Sequence, residues 1–103
     1  MTAVVGETVT LPCRTTTVIA TADWYFVSSE KGRPSIVSVA GKLVNGYSNR
    51  FTIETNVQGD FSLTIRSATR ADAGMYICRW IAGEDLEHRM MLNVHGKISI
   101  AVT

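Results

Sequence analysis

Cys13 and Cys78 bracket Trp24, and the second cysteine closes the run Asp72-Ala73-Gly74-Met75-Tyr76-Ile77-Cys78. Two cysteines in so short a chain can be a redox pair, half of a metal site or one long-range staple. These two lie about 65 positions apart, without the short-interval cysteine or histidine partners of a zinc site or a CxxC motif. A disulfide is the economical reading, and closing a loop of that length stabilises a fold by roughly 4 kcal/mol on the chain-entropy model. Such bonds persist in oxidising surroundings, which places the domain outside the cytosol.

The 103 residues are expected to form one domain, 1–103, long enough to bury a core and short enough for a staple to matter. Net charge is +1 with Lys and Arg dispersed, which gives no electrostatic footprint for nucleic acid or an anionic membrane. Apolar stretches such as Val18 to Ala22 and Met90 to Leu92 fall far short of the roughly 20 residues that span a bilayer. Membrane attachment is expected only through a segment outside this chain. Met1 leads into Thr2-Ala3-Val4-Val5 with no basic and apolar signal pattern. An excised extracellular piece of a secreted or cell-surface parent is therefore expected, its signal removed and Met1 added for expression.

Period-2 alternation recurs in short runs rich in Val, Ile, Thr, Phe and Tyr, punctuated by Gly, Asn, Asp and Pro, the pattern of an antiparallel sandwich. Strands are expected at Thr8 to Arg14, Asp23 to Ser28, Ser35 to Val39, Leu43 to Val44, Phe51 to Glu54, Phe61 to Arg66, Gly74 to Ile81, Arg89 to Val94 and Lys97 to Val102. Glu30-Lys31-Gly32-Arg33-Pro34, Asn45-Gly46, Gln58-Gly59-Asp60 and Ala82-Gly83-Glu84-Asp85 supply turn residues between them. Parity is consistent: Leu11 with Cys13, Trp24 with Phe26, Phe61 with Leu63 and Ile65, and Tyr76 with Cys78 each share a face. All are expected to point between two sheets packed about 10 Å apart.

These residues resemble the immunoglobulin superfamily, V-type. Gly6-Glu7-Thr8-Val9-Thr10-Leu11-Pro12-Cys13 looks like its A' and B strands, Trp24-Tyr25-Phe26 like C, Arg50-Phe51-Thr52-Ile53 like D, and Phe61-Ser62-Leu63-Thr64-Ile65 like E. The run ending at Cys78 resembles the start of strand F, with Tyr76 at the tyrosine-corner position. The resemblance spans residues 4 to 94 and implies an all-β sandwich of two antiparallel sheets with an inter-sheet disulfide. It implies a scaffold role for Trp24, packed on the bridge, for Tyr76, bonded through its hydroxyl to backbone near Asp72, and for an Arg50–Asp72 salt bridge. The segment Ile36 to Asn49 has room for C' and C'', as a V-type domain requires. Beyond it, Gly96 followed by alternating Ile98, Ile100 and Val102 echoes a joining segment in degenerate form.

Catalysis is not expected. Both cysteines are committed, and the only imidazoles, His88 and His95, lie beside the final strand. Two histidines without a third ligand are solvated or capping groups before they are a metal site. Glu84, Asp85 and Glu87 read as a solvated loop tip whose charge biases partner choice. GKLVNG at Gly41 to Gly46 is a strand-and-turn signal, and no cofactor is implied.

With Trp24, Phe26, Tyr76 and Cys78 inward, Tyr25, Val27, Ile77 and Arg79 point out from the sheet that the family builds from strands G, F, C and C'. One parity of Ile36 to Val39 and one of Met90 and Met91 extend an apolar patch of the kind that marks protein interfaces. Pairing of two copies through this GFCC' face is the simplest use of it. Three loops, Thr15 to Ala22, Ala40 to Asn45 and Ile81 to His88, match the family's complementarity-determining positions. Ile81, Glu84, Asp85 and Leu86 therefore join the expected partner-binding set, while Trp80 reads either as a core plug or as a binding anchor. The expected function is recognition of a protein or microbial ligand by an immune-type receptor ectodomain; the alternative is a homophilic or heterophilic adhesion module using the GFCC' face alone.

Overall fold

The computed structural model describes residues 1–15, 21–30, 32–54 and 57–96. Among the described residues nine strands form: β1 Thr2–Val4, β2 Val9–Leu11, β3 Asp23–Ser28, β4 Pro34–Val39, β5 Lys42–Leu43, β6 Phe51–Ile53, β7 Leu63–Ile65, β8 Gly74–Ile81 and β9 Asp85–His95, with one 3-10 turn at Arg70–Asp72. The expected strand Lys97 to Val102, and Val18 and Ile19 of the first loop, lie outside the described residues. One sheet has six strands in the order β1-β9-β8-β3-β4-β5, and the other has three in the order β2-β7-β6. The disulfide joins them, running from Cys13, just past β2, to Cys78 within β8 with Cα atoms 6.4 Å apart.

Strands C and F of the family, β3 and β8, span the residues the alternation indicates. Elsewhere the boundaries move. β2 and β7 are three residues long because the chain beyond them leaves the ladder: Arg14 keeps only an isolated bridge to Asp60. The first edge strand lies before Gly6 and not within Gly6 to Cys13, and β1 runs parallel to β9 in an otherwise antiparallel sandwich. Gly6, at φ 92°, makes the turn that separates β1 from β2. The segment expected to hold C' and C'' does carry two extra strands, β4, which begins ahead of it at Pro34, and the two-residue β5.

The largest correction concerns the loop expected at Ile81 to His88. Its residues are paired, Ile81 with Asp85, Trp80 with Leu86, Arg79 with Glu87 and Cys78 with His88, so the turn shrinks to Ala82-Gly83-Glu84. A three-residue connection with Gly83 at φ 82° lets the ladder run to the tip. The loop expected at Ala40 to Asn45 contracts likewise: Val39 pairs with Lys42, leaving Ala40 and Gly41 as the turn.

Both turn residues adopt left-handed backbone, φ 52° and 77°, as a primed hairpin turn requires. A β-carbon at Ala40 makes that conformation unfavourable by about 1 kcal/mol, which asparagine largely avoids. Ala40→Asn should therefore raise stability by up to about 1 kcal/mol, read as a higher urea midpoint with unchanged m-value. The backbone bond from Ala40 N–H to Asp23 Oδ1, 2.8 Å, survives the change.

The core lies between the sheets and contains Leu11, Trp24, Val37, Leu63, Ile65, Tyr76, Cys78 and Leu92, all fully buried. Phe26 stacks on Tyr76 with ring centroids 4.5 Å apart. The Trp24 indole N–H donates to the Phe61 carbonyl at 2.8 Å, so the ring is buried without an unmet donor. Gly74 has no room for a side chain: a β-carbon there would strike the Val27 carbonyl oxygen and sit 2.8 Å from the Phe26 ring.

Candidate functional site

At the start of β8 the scaffold residues form one network. Arg50 pairs with Asp72 through two contacts, Nη1 to Oδ2 at 2.9 Å and Nη2 to Oδ1 at 3.0 Å, and also donates to the carbonyls of Arg66 and Ser67. The bond to Asp72 holds the Arg50 guanidinium above its ordinary pKa. Thr69 N–H donates to the same carboxylate at 2.8 Å, and the Tyr76 hydroxyl donates to the Asp72 carbonyl at 2.6 Å. Burial pushes the Tyr76 phenol far up, so it stays a donor at any physiological pH. Tyr76→Phe should cost about 1.5 kcal/mol by urea unfolding, since it leaves a buried carbonyl unpaired.

A second carboxylate has a measurable pH signature. Asp60 accepts from the hydroxyl and the N–H of Ser62, and these bonds hold it below the usual carboxylate range. A lowered folded pKa stabilises above the unfolded value and loses that contribution as pH falls through the folded value. Acid unfolding should thus be shallower for Asp60→Asn than for the parent, with the two curves differing most near neutral pH and converging below the native pKa of Asp60. Chemical unfolding at a series of pH values checks this.

The outer face of the six-stranded sheet is a registered lattice. Pro34, Val27, Met75 and Met91 are cross-strand neighbours in one row; Ile36, Tyr25, Ile77 and Arg89 make the next. A third row is polar, Asp23, Arg79 and Glu87, and Ile81 opposes Asp85 beyond it. These positions alternate with buried Trp24, Phe26, Tyr76 and Cys78, so they point away from the core. Ile36, Val39 and Met91 each keep nearly half of their surface exposed, and Ile81 is 71% exposed.

The residues singled out in the sequence divide unequally over this lattice. Tyr25, Val27, Ile77, Arg79, Ile81 and Asp85 share the face. Leu86 does not: it pairs with Trp80 on the opposite parity, and both continue the inward-facing row. Glu84 stands at the hairpin tip. Trp80 is half-buried with its indole nitrogen covered and without a hydrogen-bond partner. The face gains members that parity alone left undecided. A bulge between Trp24 and Tyr25 turns both Val37 and Ser38 inward and Ile36 and Val39 outward. Met91 is the outward methionine because it opposes Met75, whereas Met90 opposes Tyr76.

Charge concentrates at the hairpin end. Arg79 Nη2 meets Asp85 at 3.0 Å, which raises the guanidinium pKa, and Arg89 Nε meets Glu87 at 2.8 Å. Among the described residues no group of three or more His, Cys, Asp or Glu gathers as a metal site, and no helix is long and apolar enough to cross a membrane.

A disulfide-pinned sandwich with a buried tryptophan opposite the bridge, a tyrosine corner and a partly apolar outer sheet is an immunoglobulin-type variable architecture. The family model of the immunoglobulin V-set domain matches residues 1–95, and the chain belongs to that family. V-set domains are typically extracellular recognition or adhesion modules and generally act without catalysis.

Proposed function

We propose that this chain is the recognition domain of an immune-type receptor, secreted or displayed at the cell surface. It engages a protein or microbial surface component through the outer face of the six-stranded sheet and the β8–β9 hairpin. The observation that carries this reading is the pair of cross-strand rows, Pro34, Val27, Met75 and Met91 beside Ile36, Tyr25 and Ile77, with Ile36 and Met91 open to solvent. Monomeric surfaces seldom keep so contiguous an apolar patch without a partner. A tetramerised, labelled domain applied to panels of host cells and microbial wall preparations tests it. Ile77→Asp should cut specific binding by about 30-fold or more, as loss of a central hot spot does. Thr52→Lys, on the exposed face of the smaller sheet, should leave it intact. Equal loss for both, or none for Ile77→Asp, overturns the reading.

The same rows also support pairing of two copies, homophilic adhesion included. A two-fold axis passing near Tyr25 and Ile77 lays each apolar row against its equivalent, so one patch suffices. Sedimentation velocity should then show a concentration-dependent dimer that Ile77→Asp abolishes; a monomer at high concentration would sink this second reading.

A further inference from the structure

We propose that the hairpin end of this face is a subsite for one cationic side chain, lysine or arginine, carried by the bound partner. The inference rests on the recognition reading above and specifies the chemistry of what is recognised. A cleft of about 270 Å³ opens where β3, β8 and the hairpin meet, lined by Thr21, Asp23, Tyr25, Arg79, Ile81 and Asp85, with Trp80 behind them.

The charges in and around this cleft do not balance. Arg79 is committed to Asp85 and Arg89 to Glu87. Asp23 stands directly across the ladder from Arg79 yet has no ion-pair partner among the described residues. One of its oxygens is held by the Ala40 N–H at 2.8 Å, which fixes the carboxylate and leaves Oδ2 as the open acceptor. Glu84 adds a further negative charge at the tip. An anionic ligand would have to displace Asp85 from Arg79 while facing Asp23 and Glu87. A cation meets a fixed, half-buried carboxylate instead.

The remaining walls suit the same guest. Tyr25 offers an aromatic ring beside Asp23, and a cation over such a ring gains attraction that a neutral group lacks. Ile81 and Thr21 accept the aliphatic stem of a long side chain. The cleft adjoins the apolar rows, so a partner with an apolar contact ridge ending in Lys or Arg covers both. Closing that interface removes water from Asp23 and strengthens a pair that would be weak on an open surface.

The test titrates the isotope-labelled domain with Nα-acetyl-arginine amide, Nα-acetyl-lysine amide and the uncharged isostere Nα-acetyl-citrulline amide, following backbone amide shifts. The cationic probes should give saturable shifts at Asp23, Tyr25 and Arg79, roughly 10-fold tighter than citrulline, because a charged donor bonds a carboxylate more strongly than a neutral one. Asp23→Asn, which keeps the acceptor for Ala40, should erase that preference. Glu30→Gln, in the turn past the far end of β3, should retain it. No saturable shift, equal response to citrulline, persistence in Asp23→Asn, equal loss in Glu30→Gln, or saturation instead by N-acetylglucosamine would each overturn the subsite. Those outcomes leave the effect of Ile77→Asp on tetramer binding untouched, so the subsite and the face fail separately.

Discussion

Replacing Cys13 and Cys78 by alanine is expected to cost roughly 4 kcal/mol, because the bridge closes a loop covering most of the chain. Domains of this size usually hold only about 5–15 kcal/mol in total. The double variant should therefore retain a small remnant of stability and unfold partly at 37 °C. Two observations keep the loss from being absorbed elsewhere. Both half-cystines are buried, so the alanines leave space beside Trp24, which opposes Cys78 in the β3–β8 ladder. The three-stranded sheet is also small, and its link to the larger one depends on few elements. Urea unfolding should show a lower midpoint and a larger m-value, as the released chain exposes more surface when it unfolds. A loss below about 1 kcal/mol would mean that core packing alone holds the sheets together.

How much of this was legible follows from what each residue faces. β3 and β8 are buried on one side along their length, so their alternation is complete and their limits readable. The half of β9 nearest the hairpin lies where neither side is well covered: from Asp85 to Arg89 only Leu86 is even partly buried. Without a core to face, Asp85-Leu86-Glu87-His88-Arg89 carries polar residues on both parities and reads as a loop, although each residue is paired with β8. β1 was invisible for another reason. Three residues pairing in parallel with a strand about 90 positions away have no local signature. The bulge that turns Val37 and Ser38 inward together defeats any period-2 reading of β4.

The candidate site was legible in proportion. Tyr25, Val27, Ile77 and Arg79 followed from the parity of Trp24 and Cys78, which are unmistakable core residues. Ile36, Val39 and Met91 needed the register, because side-chain type does not say which of two neighbouring apolar residues faces out. Asp23 needed three dimensions. Its significance comes from Arg79 across the ladder being committed to Asp85, a relation no spacing along the chain expresses.

Arg50→Ala should be the most damaging single change at the scaffold's polar staple, costing about 3 kcal/mol. Breaking a buried ion pair from one side costs about 3–5 kcal/mol, and the lower figure applies because the Arg50 side chain is 36% exposed and partly screened. The asymmetry of the pair decides which partner matters more. Asp72 is 7% exposed and stays behind with only the Thr69 N–H to compensate it. In Asp72→Asn the arginine can turn to water, and the carbonyls of Arg66 and Ser67 still hold it. Arg50→Ala should thus exceed Asp72→Asn in cost, and Arg50→Lys should recover only part of the loss because one ammonium cannot span both carboxylate oxygens. The melting temperature should drop by roughly 12 °C or more. Because Asp72 is buried while Met75, Ile77 and Arg79 point outward, alternating with buried Tyr76 and Cys78, the folded fraction of Arg50→Ala should bind partner with undiminished affinity. A variant that lost binding while still folded would place the staple within the recognition machinery; retained binding with lowered stability separates the scaffold from the face it presents.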